Sequence, residues 1–287
     1  MVTTVPRHEY PTDDVPETLE ALGETASWIL DEFADSPVLR PQALSTALTL
    51  AQQHCAVDPQ AVKFETWEAW VTAMQTGSAL FAAAVAPKNT TVTCRIKERE
   101  RALPATGPEP HLNAGTWVTS FYLAMICRAN DRLRQLAEVP VSLLRDSGAV
   151  FDEYIYSWVE ALQSFWLGRS DVGEKLVAAV DGTAPEALRS TDPDLMSKVL
   201  YPPLILLYRV IRRDPTEFNK ALVDALRWHK AYWTTDEERA GSADSLVALG
   251  PLAMACLARD QGIPVEVESE YLPKALLDYA WIGEIEY

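Results

Sequence analysis

The fold of this chain is decided by residues 64–85, which read FETWEAWVTAMQTGSALFAAAV. Apolar residues recur there at spacings of three and four, as at Trp67, Val71 and Met74, which places them on one face of a helix. The opposite face, which carries Trp70, is also apolar. A helix that is apolar on two sides is expected to lie between other helices, so this segment predicts the centre of a helical protein.

Stripes with the same spacing recur at 117–124, 151–165, 218–233 and 246–257. Long helices are predicted to start near 64, 111, 151 and 195, a spacing that suits stacked helical hairpins. No Gly/Ser-rich linker divides the chain. We therefore predict a mostly α fold in one extended domain, with residues 1–16 as an N-terminal extended segment and residues 17–287 as a single helical domain.

Helix boundaries are marked by proline. Asp-Pro pairs at 58–59, 192–193 and 214–215 combine a capping side chain with a residue that has no N–H to leave unpaired. Helices are therefore predicted to begin near 59, 193 and 215. Tyr201-Pro202-Pro203 interrupts an apolar run, which predicts a kink or two separate helices there.

Two segments have the alternation of a β-strand. Residues 91–103 alternate apolar and polar side chains and predict a small β-hairpin, and residues 263–268 predict a second short strand. A pairing between these two regions is left open by the sequence. The hairpin carries four basic residues, and these are Arg95, Lys97, Arg99 and Arg101. We interpret them as charges that protect a solvated strand edge, and this interpretation is favoured over a ridge that binds phosphate.

The chain is strongly acidic, with 41 Asp and Glu against 25 Lys and Arg and a net charge of −16. The excess lies at the two ends, in residues 1–35 and 264–287. Such a surface repels nucleic acid and anionic lipid and attracts basic partners. We find no apolar run long enough for a membrane span and no secretion signal, so we expect no membrane or nucleic-acid partner, a cytoplasmic location and four reduced, buried cysteines.

Motifs for catalysis, cofactors or metals are not found. His229 lies on a predicted apolar face and is expected to be a hydrogen-bonded core residue. The sharpest enzyme alternative is a class I terpene synthase, because Asp13-Asp14-Val15-Pro16-Glu17 and Asn130-Asp131 with Glu138 resemble its magnesium motifs. Pro16 interrupts the first motif, and Arg134 occupies the position of a hydroxyl ligand in the second. These acidic residues are explained better as ordinary charges on a solvated chain end and on a helix surface than as magnesium ligands.

Two acidic clusters lie beside aromatic residues near the C-terminus. Acidic groups around an exposed Tyr or Trp make a good site for a basic protein, because charge steers the encounter and the aromatic ring supplies buried contact. The candidate binding residues are Trp233, Asp236, Glu237, Glu238, Glu266, Glu268, Glu270 and Tyr271.

Six stretches of this chain resemble the immunity-49 family of bacterial polymorphic-toxin systems. They are ETWEAWVTAMQ at 65–75, ATGP at 105–108, LYPP at 200–203, HKAYW at 229–233, VALGPLA at 247–253 and EVESEYLPK at 266–274. The resemblance extends from about residue 6 to the C-terminus. It implies a helical, cytoplasmic immunity protein that neutralises a cognate toxin by stoichiometric binding, with no catalytic residues to carry over. The acidic surface leads us to expect in addition that the toxin is basic, and we expect no cofactor. A helical adaptor for another protein is the alternative.

Overall fold

The structure, a computed structural model that describes residues 2–281, is built around helix α3 (Phe64–Val85). Most of this helix is buried, because α2 (Arg40–Val57), α4 (Ala114–Ile126) and a β-hairpin all pack against it. The apolar residues on both faces of α3 therefore contact protein, except Phe64 and Val85 at its two ends, which are exposed. The prediction of a mostly α fold is confirmed.

The other helices complete a single packed body. They are α1 (Val15–Glu32), α5 (Asn130–Ala137), α6 (Val141–Asp146), α7 (Tyr154–Trp166), α8 (Val172–Asp181), α9 (Pro193–Leu195), α10 (Pro202–Arg212), α11 (Pro215–Trp233), α12 (Glu237–Ala240), α13 (Leu249–Asp260) and α14 (Lys274–Asp278). Consecutive helices pack as pairs, such as α1 with α2, α7 with α8 and α10 with α11. The buried hydrophobic residues form one cluster that extends from Val5 to Leu277, and all four cysteines are buried and free.

The predicted hairpin is present as β2 (Thr91–Ile96) and β3 (Arg99–Pro104), which pair antiparallel. Its turn places Lys97 in the left-handed region at φ 54°, and the Lys97 N–H donates to Gln75 Oε1 at 2.7 Å. Arg99 and Arg101 both bind Asp31 of α1 through Oδ1, at 2.8 and 3.0 Å. Two of the four basic residues of the hairpin are therefore used to join it to α1.

Two of the three predicted helix starts are confirmed. The Asp192 carboxylate accepts the N–H groups of Asp194 and Leu195 at the start of α9, and Asp214 caps α11. The start near 59 is wrong, because α3 begins only at Phe64. Ala61 lies in the left-handed region at φ 52°, which no α-helix can include.

The residue that misled this prediction has a different capping role. The Asp58 carboxylate accepts the N–H groups of Val62 and Lys63 and the hydroxyl of Thr66, at 3.1, 2.9 and 2.7 Å. It therefore holds the turn that enters α3. At Tyr201 the predicted interruption is confirmed, since a π-helix (Met196–Leu200) gives way there to α10.

The second predicted strand is present as β4 (Val267–Glu268), but its partner is β1 (Thr3–Thr4) and not the hairpin. The two strands run parallel, with Thr3 opposite Val267. The alternation that predicted β4 carries no information about its partner. The extended N-terminal segment ends where α1 begins at Val15, and Val5 within it is only 3% exposed.

Candidate binding surface and cleft

The acidic stretch around β4 presents its carboxylates outward. Glu266 and Glu268 are exposed and Glu270 is half-buried, whereas Val267 and Tyr271 are buried on the other side. For Glu266, Val267 and Glu268 this division follows from the two-residue period of an extended chain, whereas Glu270 and Tyr271 belong to the turn that follows. Backbone bonds fix the orientation, since Thr3 N–H donates to Glu266 O and Val5 N–H donates to Glu268 O, both at 2.9 Å.

Tyr271 does not belong to the exposed surface that the sequence predicted. Its side chain is 0% exposed, because the turn that follows β4 directs it into the core beside the similarly buried Leu272. Its hydroxyl accepts the backbone N–H of His8 at 3.1 Å and donates to His8 Nδ1 at 2.9 Å, and its ring meets His229 edge-on at 4.8 Å. Burial raises the pKa of Tyr271 to about 12. This aromatic residue anchors the interior.

The N-terminal segment joins the two acidic clusters, a feature with no signal in the sequence. His8 Nε2 donates to the carbonyl of Ala240 at 3.1 Å, and the Tyr10 hydroxyl donates to that of Gly241 at 3.1 Å. Arg7 lies 3.6 Å from the Glu270 carboxylate. Residues 3–10 therefore form a strap that runs from β4 to the turn after α12.

The second acidic cluster surrounds the start of α12. Asp236 accepts the N–H of Arg239 at 2.8 Å and caps this short helix, while Glu237 and Glu238 are exposed. The Arg239 guanidinium lies over the ring of Tyr232, 4.4 Å from its centroid. Asp236 thus has a structural role, and the two glutamates are the carboxylates left for a partner.

Helix α11 separates the two clusters. Glu266 N–H donates to Asn219 Oδ1 at 2.7 Å, near the first turn of α11, whereas Asp236 follows its last residue, Trp233. The 14 helical steps from Asn219 to Trp233 span about 21 Å at 1.5 Å per step. The acidic residues therefore follow α11 from one end to the other and do not form one compact patch.

Trp233 lines a cleft of about 400 Å³ that the sequence did not predict. Its walls come from α4, α7, the π-helix, α11 and the start of α13, and they include Tyr122, Tyr154 and Trp158. Trp158 Nε1 donates to the Tyr122 hydroxyl at 3.0 Å, and burial raises the pKa of that tyrosine. The volume falls within the range of roughly 300 to 1,000 Å³ that is typical of ligand pockets.

His229 forms part of the same wall, as a buried and hydrogen-bonded residue. Its Nε2 donates to the carbonyl of Ser245 at 3.0 Å. Burial lowers the pKa of His229 to about 4, so the ring is neutral at pH 7. This agrees with the expectation of a core histidine, although the residue also borders the cleft.

A second cavity of about 390 Å³ adjoins the cleft. The two meet at four residues that line both, and these are Leu48, Gly115, Thr119 and Asp244. Asp244 is the ionisable group at the junction, and no sequence pattern marked it. The sequence did contain an indication of the cleft itself, because the stretches LYPP, HKAYW and VALGPLA, which resemble the immunity-49 family, each contribute residues to its wall.

A larger cavity of about 650 Å³ lies elsewhere, between α3, the hairpin and α5. Arg128 in its wall is already satisfied by Asp260 and by the carbonyls of Leu276 and Leu277. None of the LYPP, HKAYW or VALGPLA residues reaches it. Although this cavity is larger than the cleft beside Trp233, its size alone does not make it the better candidate for a binding site.

The residues that resemble a magnesium enzyme lie apart in the fold. Asp13 and Asp14 precede α1, and Asn130 and Asp131 begin α5. Within residues 2–281, no group of three or more His, Cys, Asp or Glu side chains is placed to hold a metal ion. In the same range, none of the helices is long and apolar enough to cross a membrane.

Comparison with known proteins gives one match. The model of the family Immunity protein 49 matches residues 58–276, which is most of the chain and includes both acidic clusters and all of the cleft lining except Leu48 and Gln52. No curated protein and no solved structure matches this chain.

Proposed function

Since the chain belongs to the Immunity protein 49 family, we propose that this immunity protein neutralises a bacterial toxin by binding it stoichiometrically. The observation that carries the proposal is the outward row of carboxylates on β4, held rigidly by backbone bonds to β1. A toxin that acts on an anionic substrate has a basic active site, and fixed carboxylates are complementary to it. Binding alone would then block the toxin, without turnover.

The affinity must be high, because an immunity protein competes with the toxin's own target at low concentration. Nanomolar binding corresponds to about −12 kcal/mol. Charge contributes mainly to the rate of encounter, which electrostatic steering raises by 10-fold or more at low salt. Contact area around Trp233 and the cleft would supply the slow dissociation that charge alone does not give.

The first experiment is co-expression with the product of the adjacent gene, with host survival and a co-purifying complex as the readouts. Rescue together with a complex supports neutralisation by binding. A confirmed toxin that is neither bound nor tolerated would refute the pairing. A neighbouring gene that encodes no toxin would favour the adaptor alternative.

The acidic row is then tested by charge reversal. Glu266→Lys with Glu268→Lys should slow association about 10-fold at low salt and have little effect at 0.5 M salt, because exposed charges are screened. The matched control reverses Glu174 and Glu186, which are exposed on and after α8. Stopped-flow association rates measure both. Equal rates for the two double variants would remove β4 from the proposed surface.

A further inference from the structure

The cleft beside Trp233 collects three of the stretches through which the chain resembles its family. Leu200 and Pro203 come from the first, His229 and Trp233 from the second, and residues 247–251 from the third. These stretches lie far apart in the chain, yet all reach one concavity that opens to solvent.

Two buried polar atoms in the cleft wall have no hydrogen-bond partner. Gln52 is 2% exposed, and its Oε1 accepts no hydrogen bond. Trp233 Nε1 is a buried donor that is also unpaired. Leaving such a group unpaired costs about 1 to 3 kcal/mol, so native proteins rarely do so without a reason. An occupant that offers both a donor and an acceptor would satisfy the pair.

The cleft also holds a carboxylate without a counter-ion. Asp244 borders both cavities, and no cation within residues 2–281 forms an ion pair with it. Lys198, which is in the same wall, is held by Asp194 one turn earlier. Although the Asp244 carboxylate is open to the cleft, the surrounding protein raises its pKa, an effect that the hydrogen bond with Gln52 opposes. An unpaired carboxylate in such surroundings favours a cationic occupant.

We propose that this cleft receives an Arg or Lys side chain from a loop of the toxin, with Asp244 as the ion-pair partner. The inference rests on the proposed function and names the anchoring contact within it. The aromatic walls accommodate the methylene stem, and Trp233 presents a ring to which a cation is attracted. A peptide loop also brings backbone N–H and C=O groups, which match the unpaired atoms of Gln52 and Trp233. The net charge of −16 and the two adjacent cavities favour an extended basic segment.

The main test measures toxin affinity for variants of the full chain. Asp244→Asn keeps the size of the side chain and should weaken binding about 10-fold, and Asp244→Lys should weaken it 100-fold or more. Thr119→Phe fills the junction of the two cavities and should weaken binding without any change of charge. Asp181→Lys, at an exposed residue of α8, is the charge-matched control and should remain within twofold. Thermal unfolding confirms that each variant is folded.

A second measurement uses a probe that needs no toxin. Acetyl-arginine amide is titrated while the indole N–H signal of Trp233 is followed by NMR, with the uncharged isostere acetyl-citrulline amide as control. We expect a saturable shift with the arginine probe alone, and its loss in Asp244→Asn.

The outcomes separate the two proposals. If the wild-type protein binds toxin and Asp244→Lys and Thr119→Phe bind it within twofold of wild type, the cleft inference is overturned and the proposed function stands. If the wild-type protein binds no toxin, both fall, and a Trp233 shift with the arginine probe would reassign the cleft to a small organic cation.

Discussion

Asp152 offers the sharpest quantitative test of how the cleft wall is held. This carboxylate is 4% exposed and lies two residues before α7. It accepts the backbone N–H groups of Arg189, Ser190 and Thr191 at 2.6, 3.1 and 2.8 Å. That loop leads directly into α9 and the π-helix of the cleft. Asp152 therefore fixes the chain that forms one side of the cleft.

The expected loss follows from these bonds. A hydrogen bond to a charged group is worth about 1.5 to 3 kcal/mol, but the released N–H groups lie near the surface and regain water. We expect Asp152→Ala to lower the free energy of unfolding by about 3 kcal/mol, and Asp152→Asn by about 1.5 kcal/mol because one oxygen still accepts. For a chain of this size, 3 kcal/mol lowers the melting temperature by about 5 °C.

The effect should also depend on pH with a defined sign. Burial by itself would raise the pKa of Asp152, but hydrogen bonds from the Thr191 hydroxyl and the three backbone N–H groups outweigh it and lower the pKa below its usual value. A carboxylate with a lowered folded-state pKa contributes stability above its unfolded pKa of about 3.9 and loses it as the pH falls through the folded pKa. The difference in the free energy of unfolding between wild type and Asp152→Asn should therefore be constant from pH 8 to about 5 and shrink below about pH 4.

Urea unfolding followed by tryptophan fluorescence measures these differences at each pH. Asp13→Ala, at an exposed residue before α1, is the control and should change little. The reasoning fails if Asp152→Ala loses no more stability than this control. It also fails if the gap to Asp152→Asn stays undiminished at pH 3.

Two further substitutions test the packing of the cleft and of the strap. In Gly250→Ala the new Cβ would lie 2.6 Å from Pro203 Cγ, so the free energy of unfolding should fall by about 1 to 3 kcal/mol. The control is Gly23→Ala in α1, where nothing lies within 4 Å of the new Cβ, and its free energy of unfolding should rise by about 0.5 to 1 kcal/mol. Urea unfolding measures both. Tyr271→Phe removes both hydrogen bonds between the tyrosine hydroxyl and His8, so hydrogen exchange of the strap amides should become faster. Tyr208→Phe, at an exposed residue, is the control and should leave this exchange unchanged. Unchanged exchange at His8 in Tyr271→Phe would contradict the anchoring role.

Local patterns predicted the elements well where the cause was local. The two apolar faces of α3, the alternation of β2 and the caps at Asp192 and Asp214 depend on neighbours within a few residues. Asp58 shows the limit, because the same Asp-Pro pair served a turn. A left-handed Ala61 between the pair and the helix cannot be read from composition.

The candidate site was predicted only in part. Alternation correctly separated exposed Glu266 and Glu268 from buried Val267, but the turn after β4 places Tyr271 inside, where the binding hypothesis required it outside. Gln52, whose Oε1 has no hydrogen-bond partner in the described part of the chain, and Asp244, which has no counter-ion there, were missed altogether. Nothing in their local sequence sets them apart from ordinary helix and turn residues.

The sequence by itself determined the helical class, the hairpin, the acidic character and the family, because each depends on composition, short periods or ordered stretches of residues. Only the tertiary structure decided that Thr3 pairs with Val267, that the strap binds Tyr271, and that three distant stretches enclose one cleft. The physical reason is that these contacts join residues far apart in the chain. Side-chain period fixes which face of an element is buried, but the partner that covers it is selected by packing of the whole chain.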